Sequence, residues 1–507
     1  AGDIGPKYFE PPYSPGAFEI PIYGHDITTH SRTIHAIAEH PEPKKLLLIG
    51  GGVGGTLTQA LKYKSLKIDY VELDPEIVEL GKSFLPVSEV NSILDKRVKI
   101  IHKDGRLFVR EKSGKIEEKY DLVILNLPDP YNAQLNRFYT EEFYSLVKKI
   151  MTPDGILSFR ITSAENYLNL EQALYISSFY RTLLSEFKSV MVLPGPNNIF
   201  LASDGQNLFY DSEIISESLK KKNIATTYMN KHFLNNRLSQ ERVEYLLGVI
   251  NSYKGERNYD LKPISYFYNT VLWSTQLKSF EKPVFIYLSK VNSVWYFLSG
   301  FLISISLLFL LFNTKNIFTN LSLYTIFLAG YSSITLELSI LLIYQVLYGY
   351  IYSKVGFFLT LFMLGLFSGA IFIARKKEEV SFRNLRWLQV LQVILVLFLL
   401  SLTSSFFRSW LSPELLEIIL GGVIVFSGFI GGAEFTCANQ FYIHKKGIKI
   451  AGTGYAIDLF GSALSAILTS VILIPLLGIT LSLWLLFLLN FVLLVFLYLS
   501  SLKKVLV

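Results

Sequence analysis

The sequence predicts an α/β doubly wound domain of the Rossmann-like type, followed by an all-α bundle of transmembrane helices. Near the start, a short apolar run leads directly into a glycine-rich loop and then into a helical pattern. Up to about residue 205, short apolar strands alternate with helical segments, which is typical of βαβ units in a mainly parallel sheet. Beyond about residue 290, apolar stretches of about 20 residues recur, the length that crosses a hydrocarbon core of about 30 Å.

The glycine-rich loop predicts a ligand site. Residues 46–49 form a predicted buried strand, and the sequence GGGVGG follows at residues 50–55. Glycines let the backbone turn tightly and approach a ligand closely, while the helix that follows offers unpaired N–H groups. A second apolar strand ends in an acid, at the distance where a carboxylate binds ribose hydroxyls. The expected nucleoside contacts come from Gly50, Gly52, Gly54, Gly55 and Glu72.

Four segments indicate which nucleoside is bound. They are HPEPKKLLLIGGGVGG (residues 40–55), VELDPEIVELGKSFLP (71–86), RVKIIHKDGRLFV (97–109) and YDLVILNLPDP (120–130). Together they resemble spermidine synthases, the polyamine aminopropyltransferases whose fold is class I methyltransferase-like. The resemblance implies S-adenosylmethionine or decarboxylated S-adenosylmethionine as the cofactor, and it places Asp104 and Gly105 near the adenine.

Two further segments resemble a membrane-fused branch of the same family. They are NLPDPYNAQLNRFYTEEFY (residues 126–144) and NYDLKPISYFY (258–268). Asn136 and Arg137 lie in the part most particular to that branch, and they are candidates for contacting the acceptor or for forming a lid. An arginine would repel a polyamine and favour an anion. The alternative is an arginine that only anchors the loop to the next helix.

The acids that aminopropyl transfer uses in this family are largely replaced. The acceptor amine must lose a proton, and in the family the carboxylates beside the sulfonium come from the glycine loop and from the loop after the fourth strand. Here those positions hold Val53 and Asn126, whereas Asp129 stands where a further acid is expected. Asp129 is therefore the candidate catalytic residue, with Asn126 a weaker one because an amide does not accept a proton at neutral pH. Spermidine synthase activity is expected to be weak or absent.

The second half predicts seven membrane spans. These are residues 292–312, 320–345, 354–374, 387–407, 415–441, 452–475 and 479–500. Three acids lie within them, Glu337, Glu434 and Asp458, and an ionisable group there is costly unless it faces a polar interior or a partner. A polar substrate path and interhelical hydrogen bonds between protonated acids are both consistent with this pattern.

The charge distribution concerns orientation. The formal net charge is +7, but basic residues cluster after the third, fifth and seventh predicted spans, which the positive-inside rule places in the cytoplasm. Seven spans then put the N-terminal domain outside the cytoplasm, in a cell inner or plasma membrane. The excess charge is thus no sign of nucleic acid. No group of His, Cys, Asp and Glu has metal-site spacing, so no metal is expected.

Composition divides the chain into four parts: an irregular lead (1–30), the synthase-like nucleoside domain (31–205), a polar helical connector (206–290) and the transmembrane domain (291–507). Four functions stay open. They are a membrane-anchored synthase-like transferase, an inactive synthase-like module of a membrane complex, another S-adenosylmethionine-dependent transferase, and a transporter. The expected partners are the lipid bilayer, a polyamine or other small acceptor, and a second membrane subunit or a second copy of the chain.

Overall fold

The computed structural model describes residues 26–114, 119–165, 167–226, 229–276, 293–312, 316–349, 352–375, 382–404, 413–446 and 451–505. Within them lies one seven-stranded sheet with the order β3-β2-β1-β4-β5-β7-β6. The strands are β1 (Lys45–Ile49), β2 (Lys67–Glu72), β3 (Val98–His102), β4 (Tyr120–Leu125), β5 (Met151–Thr162), β6 (Ser189–Leu193) and β7 (Asn197–Ser203). Strands β1 to β5 pair in parallel, whereas β7 is antiparallel to both β5 and β6. This order confirms the predicted doubly wound α/β fold.

Helices cover both faces of the sheet. They are α1 (Asp26–Glu39), α2 (Leu57–Ala60), α3 (Pro75–Phe84), α4 (Val87–Ile93), α5 (Gly105–Ser113), α6 (Ala133–Asn136), α7 (Glu141–Ile150), α8 (Leu170–Leu184), α9 (Ser212–Lys221), α10 (Lys231–Arg237), α11 (Gln240–Ser252) and α12 (Ile264–Gln276). Local chemistry explains several of their starts. Asp74 caps α3 by accepting a hydrogen bond from the Glu76 N–H, and Pro75 occupies the first helical position.

The two faces of the sheet bury separate apolar cores. Alternate residues of β1 show this, because Leu46 and Leu48 belong to one core while Leu47 and Ile49 belong to the other. Helices from the predicted connector take part in both: α9 packs on the first core, and α11 and α12 pack on the second. They therefore complete the α/β domain. The predicted boundaries at residues 30 and 205 stay predictions; α1 begins at Asp26, and the predicted lead at residues 1–25 lies outside the described residues.

The second half is helical throughout its described residues. The helices are α13 (Ser293–Phe312), α14 (Ile317–Tyr348), α15 (Tyr352–Ala374), α16 (Phe382–Thr403), α17 (Pro413–Lys446), α18 (Ala451–Ile467) and α19 (Ile474–Val505), with a π-helical turn, Leu468–Leu473, joining the last two. In the described part of the chain, 5 helical segments are long and apolar enough to cross a membrane.

Two features of the described helices bear on the predicted seven spans. Helix α13 is an apolar helix of 20 residues, and the last two predicted spans lie in a helical run of 50 residues, Gly452–Ser501. A kink interrupts that run at Gly478, whose φ of 81° lies in the left-handed region that glycine tolerates best. Seven spans, and the extracytoplasmic placement that depends on an odd count, stay predictions.

Candidate active site

The glycine loop follows β1 at the carboxyl edge of the sheet. Gly50, Gly51 and Gly55 have φ values of 72°, 56° and 84°, so a side chain at these positions would be strained. Gly52 is required for a different reason, since a Cβ there would lie 2.5 Å from the ring of Tyr70. Around Gly54 no described atom lies within 4 Å of an added Cβ, so this part of the loop is open to a ligand.

Glu72 ends β2 beside this loop and is 8% exposed. Its Oε2 accepts a hydrogen bond from the Tyr70 hydroxyl (2.8 Å), and its Oε1 accepts one from the Leu73 N–H (2.9 Å). Burial raises the pKa of Tyr70 well above its ordinary value, so the hydroxyl remains a donor at neutral pH. The carboxylate is thus held in one orientation before any ligand arrives.

Asn126 is hydrogen-bonded to the glycine loop. It follows β4, and its backbone N–H donates to the Ile49 carbonyl (2.9 Å). Its Nδ2 donates to the Gly51 carbonyl (2.8 Å) and to Thr56 Oγ1 (2.9 Å). An aspartate in this position would set a carboxylate oxygen against the Gly51 carbonyl, where two acceptors repel each other. The amide of Asn126 therefore stabilises the conformation of the glycine loop.

Val53 also serves packing. A Cβ added to Gly81 of α3 would lie 2.2 Å from Val53 Cγ1, so the valine occupies the space that this glycine leaves open. Val53 packs at the edge of the apolar core on this face of the sheet. The position where the family places an acid is an apolar contact between the loop and α3.

Asp129 lies four residues beyond the end of β4. Both of its carboxylate oxygens accept from the Thr162 N–H at 3.2 Å, which joins the loop to the end of β5. Burial raises the pKa of this carboxyl above its usual range. The hydroxyl of the buried Tyr139 supports the same loop by donating to the Pro128 carbonyl (2.9 Å).

Asp104 and Arg137 form a buried ion pair. Asp104 caps α5 by accepting from the backbone N–H groups of Arg106 (3.1 Å) and Leu107 (3.0 Å), and it accepts from both terminal nitrogens of Arg137. The two side chains are 7% and 2% exposed. Burial opposes ionisation of Asp104, but the hydrogen bonds and charge of Arg137 outweigh it and lower the pKa of this carboxyl.

Asn136 is also engaged inside the protein. Its Oδ1 accepts from Asn258 Nδ2 (3.0 Å), which ties α6 to the segment before α12. With Arg137 bound to Asp104, both candidates for acceptor contact have partners within the chain. Their acceptor or lid role stays a prediction.

Comparisons with known proteins concern the same α/β fold. A sequence profile of the spermine/spermidine synthase domain matches residues 27–195. A polyamine aminopropyltransferase of Clostridium botulinum is 32% identical over 216 residues, which cover 40% of this chain and 70% of the relative. One from Sulfolobus acidocaldarius is 31% identical over 234 residues, covering 45% and 68%. This chain belongs to the spermine/spermidine synthase family.

Other members match over a smaller share of their length. The polyamine aminopropyltransferase of Korarchaeum cryptofilum is 34% identical over 198 residues, which cover 38% of this chain and 59% of that relative. Among solved structures, a spermidine synthase in complex with the transition state analogue AdoDATO is 24% identical; the match covers 44% of this chain and 76% of that one, with a TM-score of 0.37. The residues that the family profile matches, 27–195, lie in the α/β half of this chain.

The three acids of the helical half lie apart from the synthase-family site. Glu337 and Glu434 are buried, and Asp458 is half-buried on α18 beside Gly330 of α14. No hydrogen bond between described residues joins these three acids, and Oε1 of Glu434 has no partner in that part of the chain. No group of three or more potential metal ligands occurs in the described ranges.

Sequence reasoning did not anticipate Tyr70, Arg106 or Arg32 at this site. A signal for Tyr70 exists, because residues two apart on a strand share a face and a hydroxyl there can reach the acid of β2. The other two have no local signal. Arg106 binds Asp260, 154 residues away in sequence, and Arg32 contacts the carbonyl of Leu125, 93 residues away.

The Asp104–Arg137 pair predicts a pH-dependent stability. In Asp104→Asn the arginine stays buried without its counterion, so unfolding at pH 7 should cost about 3 kcal/mol less than in the unchanged protein. Because the pKa of Asp104 is lower in the folded protein than in the unfolded chain (about 3.9), its ionised carboxylate stabilises the fold at pH values above about 3.9. This stabilisation is lost as the pH falls through the pKa of the folded state. The difference between the two proteins should therefore shrink below about pH 4.

Thermal unfolding in lipid nanodiscs from pH 7 to pH 3 measures this difference. Glu213→Gln is the matched control, because that carboxyl is 70% exposed and pairs only with a surface lysine. A difference for Asp104→Asn that stays constant across the whole pH range would contradict the assigned ion pair.

Proposed function

We propose that this chain is a membrane-anchored transferase that binds an S-adenosyl-type nucleoside and moves a group from its sulfonium to a small acceptor. The observation that carries the proposal is the carboxylate of Glu72, oriented by Tyr70 beside the open part of the glycine loop. Two carboxylate oxygens at the end of β2 suit the two hydroxyls of a ribose. The long apolar helices supply the anchor.

The acceptor side supports only part of the chemistry of a polyamine aminopropyltransferase. An amine nucleophile has to lose a proton, and the candidate base is Asp129, whose raised pKa makes it a better base than an ordinary aspartate. Asn126 cannot accept a proton, and its amide is committed to the glycine loop. Polyamine transfer is therefore expected to be slow, and a transfer that needs positioning more than a strong base fits this site better.

Calorimetric titration of the full chain in lipid nanodiscs tests the proposal. Methylthioadenosine, S-adenosylmethionine and decarboxylated S-adenosylmethionine share the adenosine part that Glu72 would hold. Saturable binding of methylthioadenosine with one site per chain is the expected result. Absence of binding by all three compounds would overturn the proposal.

A second candidate is a synthase-like module without catalysis, which binds the nucleoside within a membrane assembly. Val53 and Asn126 favour it, because both positions serve the shape of the loop. Nucleoside binding without turnover of S-adenosylmethionine, in lipid and with polyamines present, would favour this candidate. The placement of the domain outside the cytoplasm belongs to the same proposal, and protease access to sealed vesicles of known orientation tests it.

A further inference from the structure

Arg32 is a buried cation, and two of its three side-chain nitrogens have no hydrogen-bond partner among the described residues. It lies on α1 and is 0% exposed. Its Nη1 donates to the carbonyl of Leu125, the last residue of β4, at 3.1 Å. Its Nε and Nη2 have no hydrogen-bond partner in the structure as described. These two nitrogens form one edge of the planar guanidinium, the edge that binds both oxygens of a carboxylate at once.

The described residues around Arg32 do not neutralise its charge. No carboxylate of the described chain accepts a hydrogen bond from it, and the nearby charge of Arg160 repels it. Burial, followed by Arg160, lowers the pKa of Arg32 to about 9, so the side chain stays charged at neutral pH. A buried charge without a counterion costs free energy, so an anion that binds beside Arg32 would be stabilised.

A second arginine, Arg160, also has an unpaired nitrogen among the described residues. Arg160 lies on β5, its Nη1 donates to Asn197 Oδ1 at 3.3 Å, and its Nε has no partner in the described residues. Asp129 is near enough for its charge to interact with Arg160, but its oxygens accept from the Thr162 N–H. The end of β4 and β5 thus carries more positive than negative charge.

The strand order places Arg32 at the far end of the nucleoside site. Glu72 ends β2, the glycine loop follows β1, and Leu125 ends β4, and these three strands are neighbours in that order. A donor whose ribose lies at Glu72 therefore extends across the loop toward Arg32. The side chain of Asn126, the next residue after Leu125, donates to the Gly51 carbonyl, so the end of β4 lies against the glycine loop.

We propose that Arg32 binds the carboxylate in the methionyl tail of S-adenosylmethionine, so that this chain selects the carboxylated donor over the decarboxylated one. The inference rests on the proposed function and deepens it. The decarboxylated donor ends in an ammonium group, which needs acids, and the two loop positions that carry acids in the family hold Val53 and Asn126. A guanidinium there repels that ammonium and attracts the carboxylate.

Calorimetry with methylthioadenosine, S-adenosylmethionine and decarboxylated S-adenosylmethionine tests the inference on the full chain in nanodiscs. The carboxylated donor should bind about 10- to 100-fold more tightly than the decarboxylated one, the size of one charge-assisted pair. Arg32→Met should remove this preference and leave the affinity for methylthioadenosine unchanged, because that compound has no amino acid tail. Arg32→Lys keeps the charge without the planar fork and should retain part of the preference.

Arg237→Met is the matched control. This arginine is also buried, and its Nε has no partner among the described residues, but its Nη1 donates to Ser31 Oγ (3.1 Å) and its Nη2 to the Asn197 carbonyl (3.0 Å). Its Nε–Nη2 edge is therefore not free for a carboxylate, and its loss should leave the ratio of the two donors unchanged. Equal affinity of the unchanged protein for both donors, with methylthioadenosine bound, would overturn the inference and leave the proposed function standing. If no nucleoside binds, both fail. Should Arg32→Met not fold, the Arg32→Lys variant decides by the same ratio.

Discussion

Glu72→Ala is expected to weaken methylthioadenosine binding by about 100-fold, the upper range for losing hydrogen bonds to a charged group. The carboxylate is mostly buried and already oriented by the Tyr70 hydroxyl and the Leu73 N–H. Its two oxygens therefore meet the ribose without losing further freedom. Calorimetric titration of the full chain in lipid nanodiscs measures the change.

Two further variants separate binding from folding. Glu79→Ala is the matched control, since this acid of α3 lies on the surface, where it pairs with Lys82, and its loss should leave affinity unchanged. Tyr70→Phe removes the hydroxyl that orients Glu72 and should weaken binding by about 5-fold, the value of one ordinary hydrogen bond. A Glu72→Ala protein that folds and binds methylthioadenosine like the unchanged protein would refute the assignment of this carboxylate.

Arg106→Met is expected to lower the free energy of unfolding by about 3–5 kcal/mol, because it leaves Asp260 buried without its counterion. Arg106 Nη1 donates to Asp260 Oδ1 (2.7 Å) and to the Arg137 carbonyl (2.6 Å), and its Nη2 also donates to Asp260. Thr140 Oγ1 donates to the same carboxylate at 2.7 Å. The two charged side chains are 3% and 7% exposed. Thermal unfolding in nanodiscs measures the loss.

The segment that carries Asp260 also contacts the helical half. The Leu261 carbonyl accepts from the Ile479 N–H (2.7 Å) directly after the kink at Gly478. At the end of α14, a Cβ on Gly349 would lie 2.8 Å from Asp104 Cγ and 2.9 Å from Arg137 Nη1. The buried charges therefore lie between the α/β domain and the helices, and their loss should also weaken protection of the 258–263 segment from hydrogen exchange.

Controls distinguish the pair from general damage. Lys231→Met breaks an exposed pair, in which the side chains are 57% and 70% exposed, and should cost less than about 1 kcal/mol. The double variant Arg106→Met, Asp260→Leu removes both charges and should recover part of the stability, because no buried charge is then left without a counterion. If Arg106→Met were as stable as the surface control Lys231→Met, the proposed stabilisation by the Arg106–Asp260 pair would be contradicted.

The arrangement of the glycine loop and Glu72 was predictable because its parts are contiguous. Strand, glycine loop, helix and second strand follow one another within residues 45–72, and the parallel pairing of β1 with β2 brings Glu72 beside the loop. Apolar length likewise located the long helices. The gap between the last two predicted spans, residues 476–478, coincides with the kink at Gly478, where two helices meet.

The sequence by itself determined the fold class, the glycine loop and the acid of β2, since these depend on local pattern and on the common edge of parallel strands. Only the tertiary structure decided what the charged and polar side chains do. Asn126 binds the loop at Gly51 and Arg137 binds Asp104, whereas two nitrogens of Arg32, at the end of β4, have no partner among the described residues. The physical reason is that burial determines the partner of each such group, and these partners lie 33 to 93 residues apart in the chain.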